Sequence, residues 1–261
     1  GYFALDITDP SKYTNAETVT NAGKIVLWEF PGDADLGYTL SQPTIAKVKT
    51  SATAYKWVAI FGNGYNSTNE SAALYVVDME NGSLVRKIVV DTGGGTSSNG
   101  LSTPAVYDNN GDYIADYVYA GDLKGNLWKF DLRAENFSDW NVAFSKDNVP
   151  QPRFQAKGPG GTVQPVTIRP DVMYHPEKHG FIVCFGTGKY LGDSDYSDPS
   201  VQSVYGIWDY GDTVYDLRTK TWSGDDDREF IGAFASRSSG PQLSNQPGKV
   251  TLLNQKQGVF T

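Results

Sequence analysis

Cysteine is almost missing from this chain of 261 residues: Cys184 stands alone. That excludes an internal disulfide and a cysteine-rich zinc site. Its setting, Gly180-Phe181-Ile182-Val183-Cys184-Phe185-Gly186, is an apolar run that reads as a central strand, so a buried structural thiol is expected. Histidine is nearly as scarce, with only His175 and His179, and neither neighbours a plausible nucleophile. A Ser-His-Asp or Cys-His device is therefore not expected. Their i,i+4 spacing would align two ligands only on a helix, and Pro176 and Gly180 mark a hairpin tip, so no zinc site is expected there either. No run approaches the ~20 apolar residues of a membrane span. Basic charge is also short: Lys and Arg number 22 against 30 Asp and Glu, a net charge of −8. That balance lacks the footprint of a nucleic-acid surface and suits cation binding and solubility.

Aromatic residues and glycine are plentiful, with 16 Tyr, 12 Phe, 6 Trp and 28 Gly. With few helix-periodic stretches, this composition points to many short strands. Three segments repeat one order of signals: a Pro-marked strand, an apolar strand ending at Gly, and an aromatic strand closing on Asp. The first runs through residues 38–48, 57–62 and 73–78, the second through 100–106, 115–121 and 125–132, the third through 166–172, 181–188 and 203–209. Their prolines, Pro43, Pro104 and Pro170, are 61 and 66 residues apart. Such a repeat is the signature of an all-β, modified β-propeller with blades of four antiparallel strands. A blade ordinarily takes roughly 40–50 residues, so loop insertions are expected at 91–100, 133–163 and 191–202. Asn81-Gly82 and Lys124-Gly125-Asn126 supply the tight turns between strands. The opening, Tyr2-Phe3-Ala4-Leu5-Asp6, matches the third element of a unit, and a less clear segment runs from Lys220 to Thr261. We expect residues 1–261 to form one propeller domain and to be a piece of a longer protein, because the chain opens directly on a strand without a signal peptide.

The most pointed chemistry lies in residues 108–116, Asp-Asn-Asn-Gly-Asp-Tyr-Ile-Ala-Asp. Ca²⁺ takes roughly six to eight oxygen ligands, and short acidic loops present them at alternate positions. Here Asp108, Asn110, Asp112 and Asp116 would offer side-chain oxygens and Ile114 its carbonyl. Three carboxylates in so short a loop repel one another without a cation. The loop departs from an EF-hand: Tyr113 replaces the usual glycine, Tyr119 the bidentate glutamate, and the flanks read as strands. The alternative is a plain acidic hairpin turn, since Asp, Asn and Gly dominate turns for local reasons.

Other motifs carry less. Gly186-Thr187-Gly188-Lys189 superficially resembles a phosphate loop, but the spacing is wrong and Tyr190 holds the Ser/Thr place, so a strand-ending turn is expected. Asp193, Asp195 and Asp198 lack the register of the first loop and read as solvated, with a second cation site as the alternative. Asp225-Asp226-Asp227 reads as a charged turn. Asn66-Ser67-Thr68 and Asn136-Phe137-Ser138 fit glycosylation sequons.

Residues 108–132, the opening Tyr2–Pro10, and Phe185–Gly192 with Ser203–Asp209 closely resemble the C-terminal region of the PilC/PilY family of type IV pilus tip-associated biogenesis factors and adhesins. The resemblance spans most of the chain in the family's order. It implies a modified β-propeller, a calcium site, and control of pilus extension and retraction alongside host adhesion and twitching motility. It also implies pilus subunits or assembly machinery and a host-cell receptor as partners, at the bacterial surface, pilus tip or outer membrane. The family's calcium loop carries over onto Asp108, Asn110, Asp112, the Ile114 carbonyl and Asp116. Receptor-binding residues do not carry over, and no Arg-Gly-Asp triplet occurs. A binding module rather than an enzyme is expected. The alternatives are a quinoprotein dehydrogenase propeller, which often has the vicinal cysteine pair that Cys184 cannot form, and a calcium-supported lectin- or integrin-like propeller.

Overall fold

The repeat of sequence signals folds as a repeat of antiparallel sheets. The structure, a computed structural model, describes residues 1–13, 18–91, 93, 98–146, 148–158, 161–174, 180–209, 230–235 and 259–260. Strands β1 (Tyr2–Leu5) and β2 (Val26–Phe30) form an opening hairpin. A four-stranded meander follows, β3 (Thr44–Lys49), β4 (Tyr55–Gly62), β5 (Ala72–Asp78) and β6 (Leu84–Asp91). The second sheet joins β7 (Ala105–Tyr107), β8 (Tyr117–Gly121), β9 (Asn126–Asp131) and β10 (Asn141–Val142). After a small hairpin, β11 (Ser145–Lys146) with β12 (Val149–Pro150), comes β13 (Phe154–Gln155), which returns to β9. The third sheet runs in order through β14 (Asp171–Tyr174), β15 (Phe181–Gly186), β16 (Ser203–Asp209), β17 (Phe230–Ala235) and β18 (Val259–Phe260), the last pair parallel.

Two of the three expected insertions have concrete forms, while residues 92 and 94–97 of the one expected at 91–100 lie outside the described residues. Within 133–163, the fourth position of the second sheet is filled in two pieces. β10 pairs with the Phe130–Asp131 end of β9 and β13 with its Asn126–Leu127 end, and the β11–β12 hairpin projects between them. A short helix, Asp193–Tyr196, occupies 191–202. Of the expected first element at 38–48, only the part from Thr44 onward is strand, while Tyr38 makes an isolated bridge to Tyr65. His175, His179, Asp225-Asp226-Asp227 and most of 220–261 lie outside the described residues.

Alternation explains how the sheets stack. Side chains along a strand point to opposite faces in turn, and here both faces are buried. In β4, Val58 and Ile60 join the cluster shared with the second sheet, whereas Ala59 and Phe61 join the one shared with the β1–β2 hairpin. In β8, Val118 and Ala120 face the first sheet, and Tyr117 and Tyr119 pack with Phe181, Val183 and Phe185 of the third. These strands therefore read as continuous apolar runs.

The repeated Gly and Asp acquire reasons. A Cβ on Gly62 would lie 2.2 Å from the Ser102 carbonyl oxygen, and one on Gly121 would lie 2.2 Å from Val166 Cγ1. Each glycine ends a second strand where the segment leading into the next sheet crosses it, so only a bare backbone fits. Asp6, Asp78 and Asp131 each accept a hydrogen bond from the main-chain N–H two residues on, Thr8 at 3.0 Å, Glu80 at 2.9 Å and Arg133 at 3.0 Å. The strand-closing aspartate is a turn former acting through its own backbone. Cys184 is half-buried, on the face of the third sheet turned away from the second, and burial raises its thiol pKa, which favours the inert protonated form.

One aspartate in that position behaves differently. Asp209 is fully buried between the second and third sheets, with Lys129 Nζ at 3.0 Å and Arg153 Nη2 at 3.4 Å, and it accepts a 2.8 Å bond from the Tyr119 hydroxyl. Lys129 also sits 4.0 Å from the Tyr117 ring centre. Burial pushes the Asp209 carboxyl up, but the Arg153 and Lys129 charges outweigh it and hold the pKa below its ordinary value. A carboxyl held low stabilises the fold at neutral pH, and that contribution is lost as pH falls through its folded-state pKa, below about 4. Asp209→Asn would leave two buried cations without their counter-charge, and a loss of about 3–5 kcal/mol is expected. Urea unfolding of Asp209→Asn beside wild type checks this; an unchanged midpoint would show that the network is not holding the sheets.

Candidate metal centre

The acidic loop joins β7 to β8, and the structure makes it a compact, self-bonded turn. Asp108 organises it: its Oδ1 accepts from the N–H groups of Asn110 at 3.1 Å and Gly111 at 2.7 Å, and its Oδ2 from that of Tyr113 at 2.7 Å. The Asn110 Oδ1 accepts from the Asp112 N–H at 2.9 Å, and Asp112 Oδ1 from the Ile114 N–H at 2.9 Å. Each oxygen position thus fixes the backbone two residues onward. Asp116, 8% exposed, turns back to accept from the Asn109 N–H at 2.8 Å. Burial, reinforced by the Asp112 and Asp108 carboxylates, raises its pKa.

Tyr113 explains the departure from the EF-hand. Its φ is 65°, the left-handed conformation that the sixth-position glycine of such loops supplies, and its side chain is 87% exposed. Gly111 shares that conformation, φ 78°, with open space where a Cβ would be. The turn that an EF-hand builds with glycine is here imposed on tyrosine by three hydrogen bonds to Asp108.

The loop is anchored at both ends to neighbouring sheets. The Ala115 N–H donates to the Lys47 carbonyl of β3 at 2.8 Å, and the Tyr174 hydroxyl of β14 donates to the Asn109 carbonyl at 3.1 Å. Tyr107, immediately before the loop, packs edge-on against Tyr174 and Phe181 with ring centres 5.6 and 4.4 Å apart. A stretch read from sequence as local therefore bears on three sheets.

The structure brings Asp108, Asn110 and Asp112 into one hydrogen-bonded chain, and sets Asp116 and Ile114 at the loop's exit. Among the described residues, no three His, Cys, Asp or Glu side chains converge closely enough to form a metal cluster. The donor chemistry nevertheless fits Ca²⁺: three carboxylates, an amide and a carbonyl are all hard oxygens, and a carboxylate oxygen accepting one N–H keeps a lone pair for an ion.

The weaker motifs resolve simply. Strand β15 ends at Gly186, Gly188 bridges to Val166, and Lys189 pairs with Asp195 at 2.6 Å, so Gly186-Thr187-Gly188-Lys189 ends a strand. Asp195 also accepts from the Leu191 N–H at 2.8 Å and Asp198 from the Ser200 N–H at 2.9 Å, so these carboxylates serve their own loop. The Asn136 side chain accepts from the Ser138 N–H at 3.2 Å. Asp122 escaped sequence reasoning. Fully buried after β8, it accepts from Asn99 Nδ2, Asn126 Nδ2 and Trp128 Nε1 at 3.1, 2.9 and 2.8 Å.

Stacked, largely antiparallel sheets of four or five strands, bearing an acidic loop between the first and second strands of one of them, define a β-propeller domain with a candidate cation loop. The profile of the PilY1 β-propeller domain matches residues 1–224, and the chain belongs to that family, PilC/PilY, as its C-terminal propeller. It is 40% identical over 233 residues to the type IV pilus biogenesis factor PilY1 of Pseudomonas aeruginosa strain UCBPP-PA14, covering 80% of this chain and 18% of that protein. It is also 40% identical over 224 residues to a PilY1 homolog of Xylella fastidiosa strain Temecula1, covering 81% of this chain and 14% of the relative. The crystal structure of the Pseudomonas aeruginosa PilY1 C-terminal domain superposes with a TM-score of 0.68 at 38% identity, covering 86% of this chain and 46% of that one. The chain thus spans under a fifth of the length of these full-length relatives.

Asp108→Ala removes the acceptor for three loop N–H groups and is expected to speed amide hydrogen exchange at Asn110, Gly111 and Tyr113 about tenfold or more, with little change in the unfolding midpoint. Unaltered exchange at those amides would show that Asp108 does not organise the turn.

Proposed function

We propose that this domain is a calcium-dependent regulatory module of a type IV pilus biogenesis factor at the bacterial surface. Ca²⁺ is taken up by Asp108, Asn110, Asp112, the Ile114 carbonyl and Asp116. The proposed role is binding and regulation rather than catalysis: ion occupancy tunes how the factor acts on pilus subunits or their assembly machinery during extension and retraction, and so supports twitching motility and adhesion to a host-cell receptor. The relatives carry the name of pilus biogenesis factors rather than of enzymes, which supports this direction.

The observation that carries the reading is the loop's double anchorage, on Lys47 of one sheet and Tyr174 of another. Neutralising three carboxylates in such a loop favours the ordered turn and, through its anchors, the packing of the sheets on either side. A ligand that binds only the ordered state stabilises it by RT ln(1 + [L]/Kd), about 2.7 kcal/mol at a hundredfold excess over Kd. A partner that recognises only the braced arrangement would then bind in proportion to calcium.

Calorimetric titration of the whole chain with CaCl₂ is expected to show one site in wild type and none in Asp108→Ala or Asp116→Ala, with the fold retained. The same substitutions in the full-length factor are expected to impair twitching of cells that carry it. Titrations unchanged by either substitution would refute the site, and normal twitching despite lost calcium binding would refute its regulatory role.

A further inference from the structure

A recess lies at the end of the strands opposite the acidic loop. Strand β7 leaves that end at Ala105 and β8 returns to it at Gly121, so the segments before Ala105 and after Gly121 border the recess while 108–116 sits at the other end. Tyr38, Tyr65, Asn66, Glu70, Lys189 and Tyr190 all line a hollow of about 780 Å³. Tyr190 stands at a junction, because two further hollows of about 250 and 390 Å³ open beside it. These adjoining hollows make up one groove, whose main chamber lies in the range of small-molecule sites.

We propose that this groove binds a neutral oligosaccharide. Two tyrosines, Tyr38 at 63% and Tyr190 at 73% exposure, present ring surface and a hydroxyl with no hydrogen-bond partner among the described residues. An apolar body with a wet polar tip matches a pyranose, whose faces carry C–H groups and whose edges carry hydroxyls. Asn66 and Glu70 have φ values of 61° and 54°, a conformation that L residues other than glycine seldom adopt. Both side chains are exposed and have no hydrogen-bond or ion-pair partner among the described residues. Strained backbone holding unspent polar groups at a recess is a pattern of binding sites.

The walls are already fixed. Tyr38 N–H bonds to the Tyr65 carbonyl at 2.7 Å, Gly188 N–H to the Pro165 carbonyl at 2.7 Å, and Leu191 N–H to Asp195 at 2.8 Å, so Tyr190 is held between two tethers.

Other ligand classes fit less well. An anion would meet the Glu70 carboxylate, and Lys189 in the wall is committed to Asp195 at 2.6 Å. A peptide adding as a strand needs unpaired main-chain groups, yet Tyr38, Leu40, Gly64 and Leu191 have already spent their N–H groups. A proline-rich segment would stack on the tyrosines, but the acceptor-only Glu70 carboxylate would receive few donors from it. Sugar hydroxyls supply them.

The test uses the whole chain with maltotriose, cellotriose, chitotriose and N-acetyllactosamine, and decaproline as the competing peptide. Saturation-transfer NMR is expected to mark pyranose C–H protons of at least one saccharide. Calorimetry is expected to show its affinity falling about tenfold or more in Tyr190→Ala and threefold or more in Glu70→Gln. Asp108→Ala, at the other end of the strands, leaves saccharide affinity unchanged, and Tyr190→Ala leaves both the calcium titration and the unfolding midpoint unchanged. The proposal is overturned if no saccharide is marked, if binding is indifferent to Tyr190→Ala or falls equally in Asp108→Ala, or if decaproline alone binds.

Discussion

Burial of the central strands on both faces is the constraint from which the rest of the arrangement follows. A strand such as β8 places Val118 and Ala120 in one interface and Tyr117 and Tyr119 in the next, so the second sheet shares its core with the sheets on either side. Each must be covered by its neighbours, and the cover is mostly apolar. Where charge enters the seam between the second and third sheets, it is matched: Lys129 and Arg153 meet Asp209, which also takes the Tyr119 hydroxyl. An unmatched charge there would cost several kcal/mol, so the cluster fixes which residues may face one another.

Fixed sheets leave the strand ends free to specialise. At one end, the Asp108 carboxylate gathers three N–H groups and holds Tyr113 in a conformation that glycine would adopt without strain. Its anchors on Lys47 and Tyr174 make this turn a joint among sheets rather than an ornament on one of them. At the other end, tyrosines from the segments flanking β3, β4 and β15 line a groove, again with non-glycine residues at positive φ. Rigid sheets make such strain affordable at both ends.

The legible parts of the sequence were those whose chemistry is local. Pro104 before a strand, Gly62 and Gly121 at strand ends, and Asp78 and Asp131 closing strands each act within a few residues or by the lack of a side chain, so the repeat survives as a pattern. The register of Asp108, Asn110 and Asp112 was readable for the same reason, since each bonds to the backbone two residues on. The fourth strands were harder. β6 mixes Arg86 and Lys87 into its apolar pattern, and the second sheet divides that position between β10 and β13.

By itself the sequence determined the first three strands of each repeat, the turns between them and the side-chain oxygens of the 108–116 loop, because hydrogen bonds of short span and period-two alternation are written in neighbouring residues. Only the tertiary structure decided that Lys129 meets Asp209, that Tyr174 reaches Asn109, and that Tyr38 and Tyr190 line one hollow. Those partners lie tens to more than a hundred residues apart. Their meeting depends on how sheets stack, and no local propensity encodes that.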